Sequence, residues 1–127
     1  MSGRADDEAG VYADGVNVGW IRQHTSTTVH AIPSNMLLLA FYAQNNGGGD
    51  FGVIISLSSG YGTGSSWKCT GSKYPGWETP AYNDAHWPSA RVLPKPASWP
   101  EHHLDPAQII WTEHYTQQIW CRGLYSK

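Results

Sequence analysis

Trp67, Trp77 and Trp87 recur at ten-residue intervals inside one turn-rich segment of this chain. A large aromatic side chain in a loop either pins that loop to a core or offers a flat apolar face to a ligand. Recognising a hexose in water needs such a face against the C–H surface of the sugar. It also needs a few oriented polar groups to replace the water on its hydroxyls. Trp77, preceded by Tyr74-Pro75-Gly76, fits the platform, because Pro and Gly hold it in a loop. Trp87, beside Pro88 and leading towards Val92-Leu93, fits an anchor. Trp67, Trp111 and Trp120 fall within strand-like segments, where core or inter-sheet packing is the default.

Other chemistries find less support. Glu101-His102-His103 with Asp105 contains zinc-ligating types, but adjacent loop histidines rarely face one ion and no spaced set completes a tetrahedral site. Asp6, Asp7, Glu8 and Asp14 have the oxygen chemistry of a calcium site, yet lack EF-hand spacing, and solvated charges beside a hairpin are the simpler account. No cofactor is expected. There is no Gly-x-Ser-x-Gly elbow, phosphate-binding glycine loop or His-Glu-x-x-His, and Gly47-Gly48-Gly49 precedes a strand rather than a helix. Glu78, Asp84, Glu101 and Glu113 are carboxylates whose separations, which a glycosidase must set, sequence leaves open. The chain reads as non-enzymatic.

Composition says what must position these groups. The 127 residues fit one domain, 1–127, long enough to bury a core. Charged residues make up only 14%, and 14 Gly with 8 Pro mark a chain rich in turns, which points to all-β. A net charge of -2 with scattered Lys and Arg gives no footprint for nucleic acid. The longest apolar run, Met36 to Ala43, is eight residues and strand-sized, so no membrane span is expected. Met1 leads directly into Ser-Gly-Arg-Ala-Asp-Asp-Glu without the apolar stretch of a secretory signal, which was either removed or never there. Cys69 and Cys121 form no CxxC or zinc pattern; the alternatives are one disulfide or two buried thiols, and the cysteine rules favour the bridge.

Eight short strands emerge from pattern and breakers. Val11 to Ala13 and Val16 to Val18 flank Asp14-Gly15 as a hairpin. Thr27 to Ile32, Met36 to Gln44, Phe51 to Leu57, Ser65 to Cys69, Gln108 to Trp111 and Gln118 to Tyr125 complete the set. Met36 to Ala43 does not alternate and reads as a central strand covered on both faces, with Phe51 to Leu57 as its antiparallel partner. Thr70 to Pro106, with seven of the eight prolines, reads as one long Trp- and Pro-rich loop without a regular core strand. Such a pattern suggests an antiparallel jelly-roll β-sandwich.

If successive strands alternate in direction, Asp14-Gly15, Pro33 to Asn35, Ser58 to Gly64 and Thr112 to Gln117 lie at one end of the sandwich. Trp20 to Ser26, Asn45 to Asp50 and Thr70 to Pro106 lie at the other. That second end gathers the candidate sugar-binding groups Trp77, Tyr74, Arg22, His24, Asn45, Asn46, Asp50 and His102, with Glu78 and His103 nearby. Histidines hydrogen bonded to hydroxyls would weaken binding as pH falls through the imidazole range. The same alternation brings Cys69 and Cys121 to similar heights on strands entering from the same end.

Several of these residues also carry a family resemblance. Ala5-Asp6-Asp7-Glu8 with Val11-Tyr12-Ala13-Asp14-Gly15 resembles the opening of galactose-binding-domain-like jelly rolls. Leu39 to Ala43 followed by Gly48-Gly49-Asp50-Phe51-Gly52-Val53 is similar to their central strand pair, and Trp77 through Trp87-Pro88-Ser89-Ala90 to their aromatic loop. Ile110-Trp111-Thr112 and Trp120-Cys121-Arg122 resemble the closing strands. Asn83-Asp84 stands where the family usually has paired acids, and His86 where it has a small residue. The resemblance implies a module of the kind found beside glycosidase domains and in animal extracellular proteins, some sugar-binding and many structural. The expected function is a non-catalytic, extracellular, lectin-like module that recognises glycans through loops at one end and gains avidity by self-association. The alternative is a structural or protein-interaction module of an extracellular matrix or biomineral protein.

Overall fold

The computed structural model describes residues 2–6, 8–22, 28–29, 35–45, 51–57, 61–94 and 107–124, with backbone alone for 2–4, 6, 22, 28 and 29. These residues form ten strands: β1 (Ser2–Asp6), β2 (Glu8–Ala13), β3 (Val16–Arg22), β4 (Thr28–Val29), β5 (Leu38–Gln44), β6 (Gly52–Ser56), β7 (Lys68–Thr70), β8 (Arg91–Leu93), β9 (Ile109–Trp111) and β10 (Gln118–Leu124). No helix occurs among them. Antiparallel pairing orders the strands β4-β1-β6-β9-β8 in one sheet and β3-β2-β5-β10-β7 in the other.

Local chemistry accounts for the β2–β3 hairpin. Asp14 and Gly15 adopt φ of 49° and 89°, the positive pair that a two-residue turn between twisted strands requires. The Asp14 carboxylate then accepts the backbone N–H groups of Leu37 (2.9 Å) and Leu38 (2.8 Å), tying the turn to the start of β5. Asp14 is thus a structural acceptor. Glu8 lies at the far end of β2, roughly 17–20 Å away at the rise of an extended strand, so the two cannot share a calcium ion.

The sheets pack face to face in a sandwich-like arrangement. Ala5, Val53, Ile55, Ile110 and Trp111 from one sheet meet Ala9, Val11, Ile21, Leu39, Phe41, Ala43 and Ile119 from the other. Each large apolar side chain fully buried here contributes about 1.5–3 kcal/mol. Trp67 and Trp111 are 0% exposed, and their indole N–H groups donate to Gly62 O (3.1 Å) and Thr116 O (3.0 Å), which removes the cost of burying them. Gly123 leaves the space that the Trp67 indole fills, since a Cβ there would overlap the ring.

Strand pairing differs from the sequence expectation in several ways. β5 pairs with β2 and β10, while β6 pairs with β1 and β9 in the opposite sheet. The connection between β5 and β6 therefore crosses from one sheet to the other instead of closing a hairpin. Ser2–Asp6, not anticipated as a strand, sits between β4 and β6. Arg91–Leu93 is a further unanticipated strand inside the long loop, at a sheet edge beside β9, where a Pro-rich neighbourhood is tolerated.

The extra strand reverses the direction of the strands after it. Asn45 N–H donates to Gln117 O (2.9 Å), so the 112–117 turn shares an end with Asn45, contrary to the expected alternation. Cys69 and Cys121 form a disulfide with Cα atoms 4.1 Å apart. Their strands run antiparallel and the two residues are direct register partners, rather than entering from the same end.

Candidate functional site

Alternation along the β5 sheet decides what reaches its outer face. Ala9, Val11, Phe41, Ala43, Ile119 and Cys121 point into the core, so Gly10, Tyr12, Ala40, Tyr42, Gln44, Gln118, Trp120 and Arg122 point outwards. Outside the sheet lies a second apolar cluster, in which Leu38, Ala40 and Trp120 meet Trp77 and Trp87 from the long loop. Central strand β5 is consequently covered on both faces, which explains its unbroken apolar run.

Arg122 holds the loop in place. It is 2% exposed; its Nε donates to the Asp84 carboxylate at 2.7 Å, and its terminal nitrogens donate to the carbonyls of Trp77, Thr79 (2.7 Å) and Tyr82 (3.0 Å). The planar guanidinium presents several donors in a fixed fork, so one side chain can gather carbonyls from successive turns around one carboxylate. The loop supplies those turns locally: Thr79 N–H donates to Gly76 O, Tyr82 N–H to Thr79 O and Trp87 N–H to Asp84 O. Gly76, at φ 78°, is the third residue of the preceding turn, Tyr74-Pro75-Gly76-Trp77, which the Trp77 N–H closes on Tyr74 O.

Between this pinned loop and the sheet lies an open cleft of about 170 Å³, lined by Tyr12, Tyr42, Lys73, Trp77, Glu78 and Trp120. Tyr12 and Trp77 meet edge to face at 5.4 Å, and Tyr42 and Trp120 lie tilted at 5.2 Å. The Tyr42 hydroxyl donates to Gln44 Oε1 at 2.9 Å, and Gln118 Nε2 donates to the same oxygen at 3.3 Å. Partial burial, followed by the nearby Glu8 carboxylate, raises the Tyr42 phenol above its usual pKa. Aromatic surface with an ammonium, a carboxylate and phenol groups along its edge suits a polyhydroxylated ligand.

No family model, curated protein or solved structure matches the chain.

Of the eight candidate sugar-binding residues, Trp77 lines the cleft. At 3% exposure it supplies a wall rather than an open platform. Tyr74 is not among the cleft residues and packs within the loop's own cluster, 6.0 Å from Trp87 and 6.4 Å from Tyr82. Asn45 is buried at the sandwich end, where its Nδ2 donates to the Tyr115 hydroxyl at 3.0 Å, and it is not among the cleft residues. Arg22 ends β3 opposite Glu8, and only its backbone is described. His24, Asn46, Asp50 and His102 lie outside the described residues, as do His103 and the zinc candidates Glu101 and Asp105. Among the described residues no group of three or more His, Cys, Asp or Glu side chains is placed to hold a metal ion.

Tyr12, Tyr42 and Lys73 are not among the residues expected from sequence, whereas Trp120, expected to pack, is 8% exposed in the apolar cluster beneath the loop and also lines the cleft. A signal existed in the two-residue period of Gly10-x-Tyr12, Tyr42-x-Gln44 and Gln118-x-Trp120-x-Arg122, which sets one face of three adjacent strands. Trp87 is the anchor it was expected to be, 4% exposed and within 6.0 Å of Tyr74 and 5.6 Å of Tyr82.

Proposed function

We propose that this chain is a non-catalytic carbohydrate-binding module with a jelly roll of the galactose-binding type, which takes glycan in the cleft between the β5 sheet and the Lys73 to Glu78 segment. The observation that carries the reading is the lining itself: Tyr12, Tyr42, Trp77 and Trp120 surround one opening with Lys73 and Glu78 at its edge. Sugar C–H faces pack on such rings while charged and phenolic groups engage hydroxyls. Glu78 is the single carboxylate among the described lining residues, whereas the usual glycoside hydrolysis uses a pair, which favours binding over cleavage. An extracellular setting belongs to the proposal, and the Cys69–Cys121 disulfide is compatible with it. An open site of this size binds weakly alone, so we place the module in a self-associated or multivalent context.

The alternative, a structural or protein-interaction module of an extracellular matrix or biomineral, draws on the burial of Trp77 and Trp87, which makes the loop a packed cover. A glycan array followed by titration separates the two. The carbohydrate reading expects binding that Trp120→Ala and Glu78→Gln weaken about tenfold or more while the fold persists. Silence across the array with folded protein favours the structural module.

A further inference from the structure

We infer, resting on the carbohydrate reading above, that the ligand is an oligosaccharide chain lying across the strands, with Trp20 as a second stacking position beyond the cleft. The cleft alone is small: about 170 Å³, against the ~300–1,000 Å³ of ordinary small-molecule sites. A ligand confined to it would bury little surface. The aromatic floor, however, continues past its rim.

Gly10, Tyr42 and Trp120 are register partners on three neighbouring strands, and Trp20 is the partner of Gly10 on the fourth. All four face outwards, because Ala9, Ile21, Ala43 and Cys121 beside them point into the core. The Trp20 indole lies over Gly10: a Cβ at Gly10 would stand 3.0 to 3.1 Å from three atoms of that ring. Gly10 therefore removes the one side chain that would interrupt the row. Trp20 and Tyr42 remain half-buried and stand two strand spacings apart, roughly 10 Å, with Trp120, 8% exposed, one strand further under the loop; a ligand that reaches both half-buried rings exceeds a single pyranose ring.

Polar groups accompany the row along one side. Glu8, Gln44 and Gln118 are register partners one step further along the same face, and Gln118 is exposed. Lys73 and Glu78 line the cleft from the loop. A chain of sugars on the floor would meet donors and acceptors from the sheet and from the loop, which successive sugar hydroxyls require.

Calorimetric titration with glucose, mannose and galactose, and with their β-1,4-linked oligomers from dimer to hexamer, tests this. Affinity for at least one series should rise on the order of tenfold from monomer to trimer and then level off. Trp20→Ala should abolish that gain and leave monosaccharide affinity within about twofold. Should Trp20→Ala fail to fold, Trp20→Leu keeps an apolar cover over Gly10 while removing the flat ring, and should show the same loss of gain. Equal affinity at every length, or a length gain that survives in a folded Trp20 variant, overturns the inference and leaves the carbohydrate reading intact. Absence of binding to every sugar overturns both.

Discussion

Arg122 shows how one side chain can organise a site it does not line. Its guanidinium is almost wholly buried and satisfied by Asp84 and by the carbonyls of Trp77, Thr79 and Tyr82. Removing it leaves a carboxylate and three carbonyls without their donor, and breaking one side of such a buried pair costs about 3–5 kcal/mol. We expect that loss for Arg122→Ala in urea denaturation, and little recovery with Arg122→Lys, whose ammonium cannot reproduce the planar fork. Lys68, 3.8 Å from Asp84 and 34% exposed, should matter far less, within about 1 kcal/mol on replacement by Ala. Two tyrosines make a pH prediction. Burial, the larger cause in both, raises the phenol pKa of Tyr61 and Tyr42 above the ordinary value of 10.0. The folded chain then keeps protons that the unfolded chain releases above that value, so their contribution is complete below pH 10 and declines above it. Denaturation midpoints should fall from pH 10 upwards, and Tyr61→Phe should flatten the fall.

At the scale of elements, β10 connects everything the cleft depends on. Its inward side carries Ile119 and Cys121, its outward side Trp120 and Arg122, and the Cys69–Cys121 bridge fastens β7, from which the long loop departs. Closing a chain segment of 52 residues is worth about 4 kcal/mol in the chain-entropy model, so Cys69→Ala with Cys121→Ala should lower stability by about 2–4 kcal/mol. Thermal melts with and without reductant check this. The elements legible from sequence were those with local signals: the Asp14-Gly15 turn and the apolar runs of β5, β6 and β9. β1 has a single apolar side chain, Ala5, and β8 is only three residues long, so both form because neighbouring strands receive them, which no local pattern announces. Missing β8 also inverted the inferred direction of β9 and misplaced the 112–117 turn.

Across the whole molecule, two antiparallel sheets share one core, and the second sheet is roofed by a loop that sequence marked only as unusual. Its aromatic content was visible, and so was the anchoring part played by Trp87. The outer-face residues are not legible locally, because sheet register, a long-range property, brings Tyr12, Tyr42 and Trp120 together. The proposed function places glycan on these rings and the loop edge. Titration of the folded chain and of Trp120→Ala with the best glycan from an array tests it most directly. Saturable binding by the native chain is expected, and at least about tenfold weaker binding by a variant with an unchanged circular dichroism spectrum. Equal affinity of the two folded proteins would contradict it.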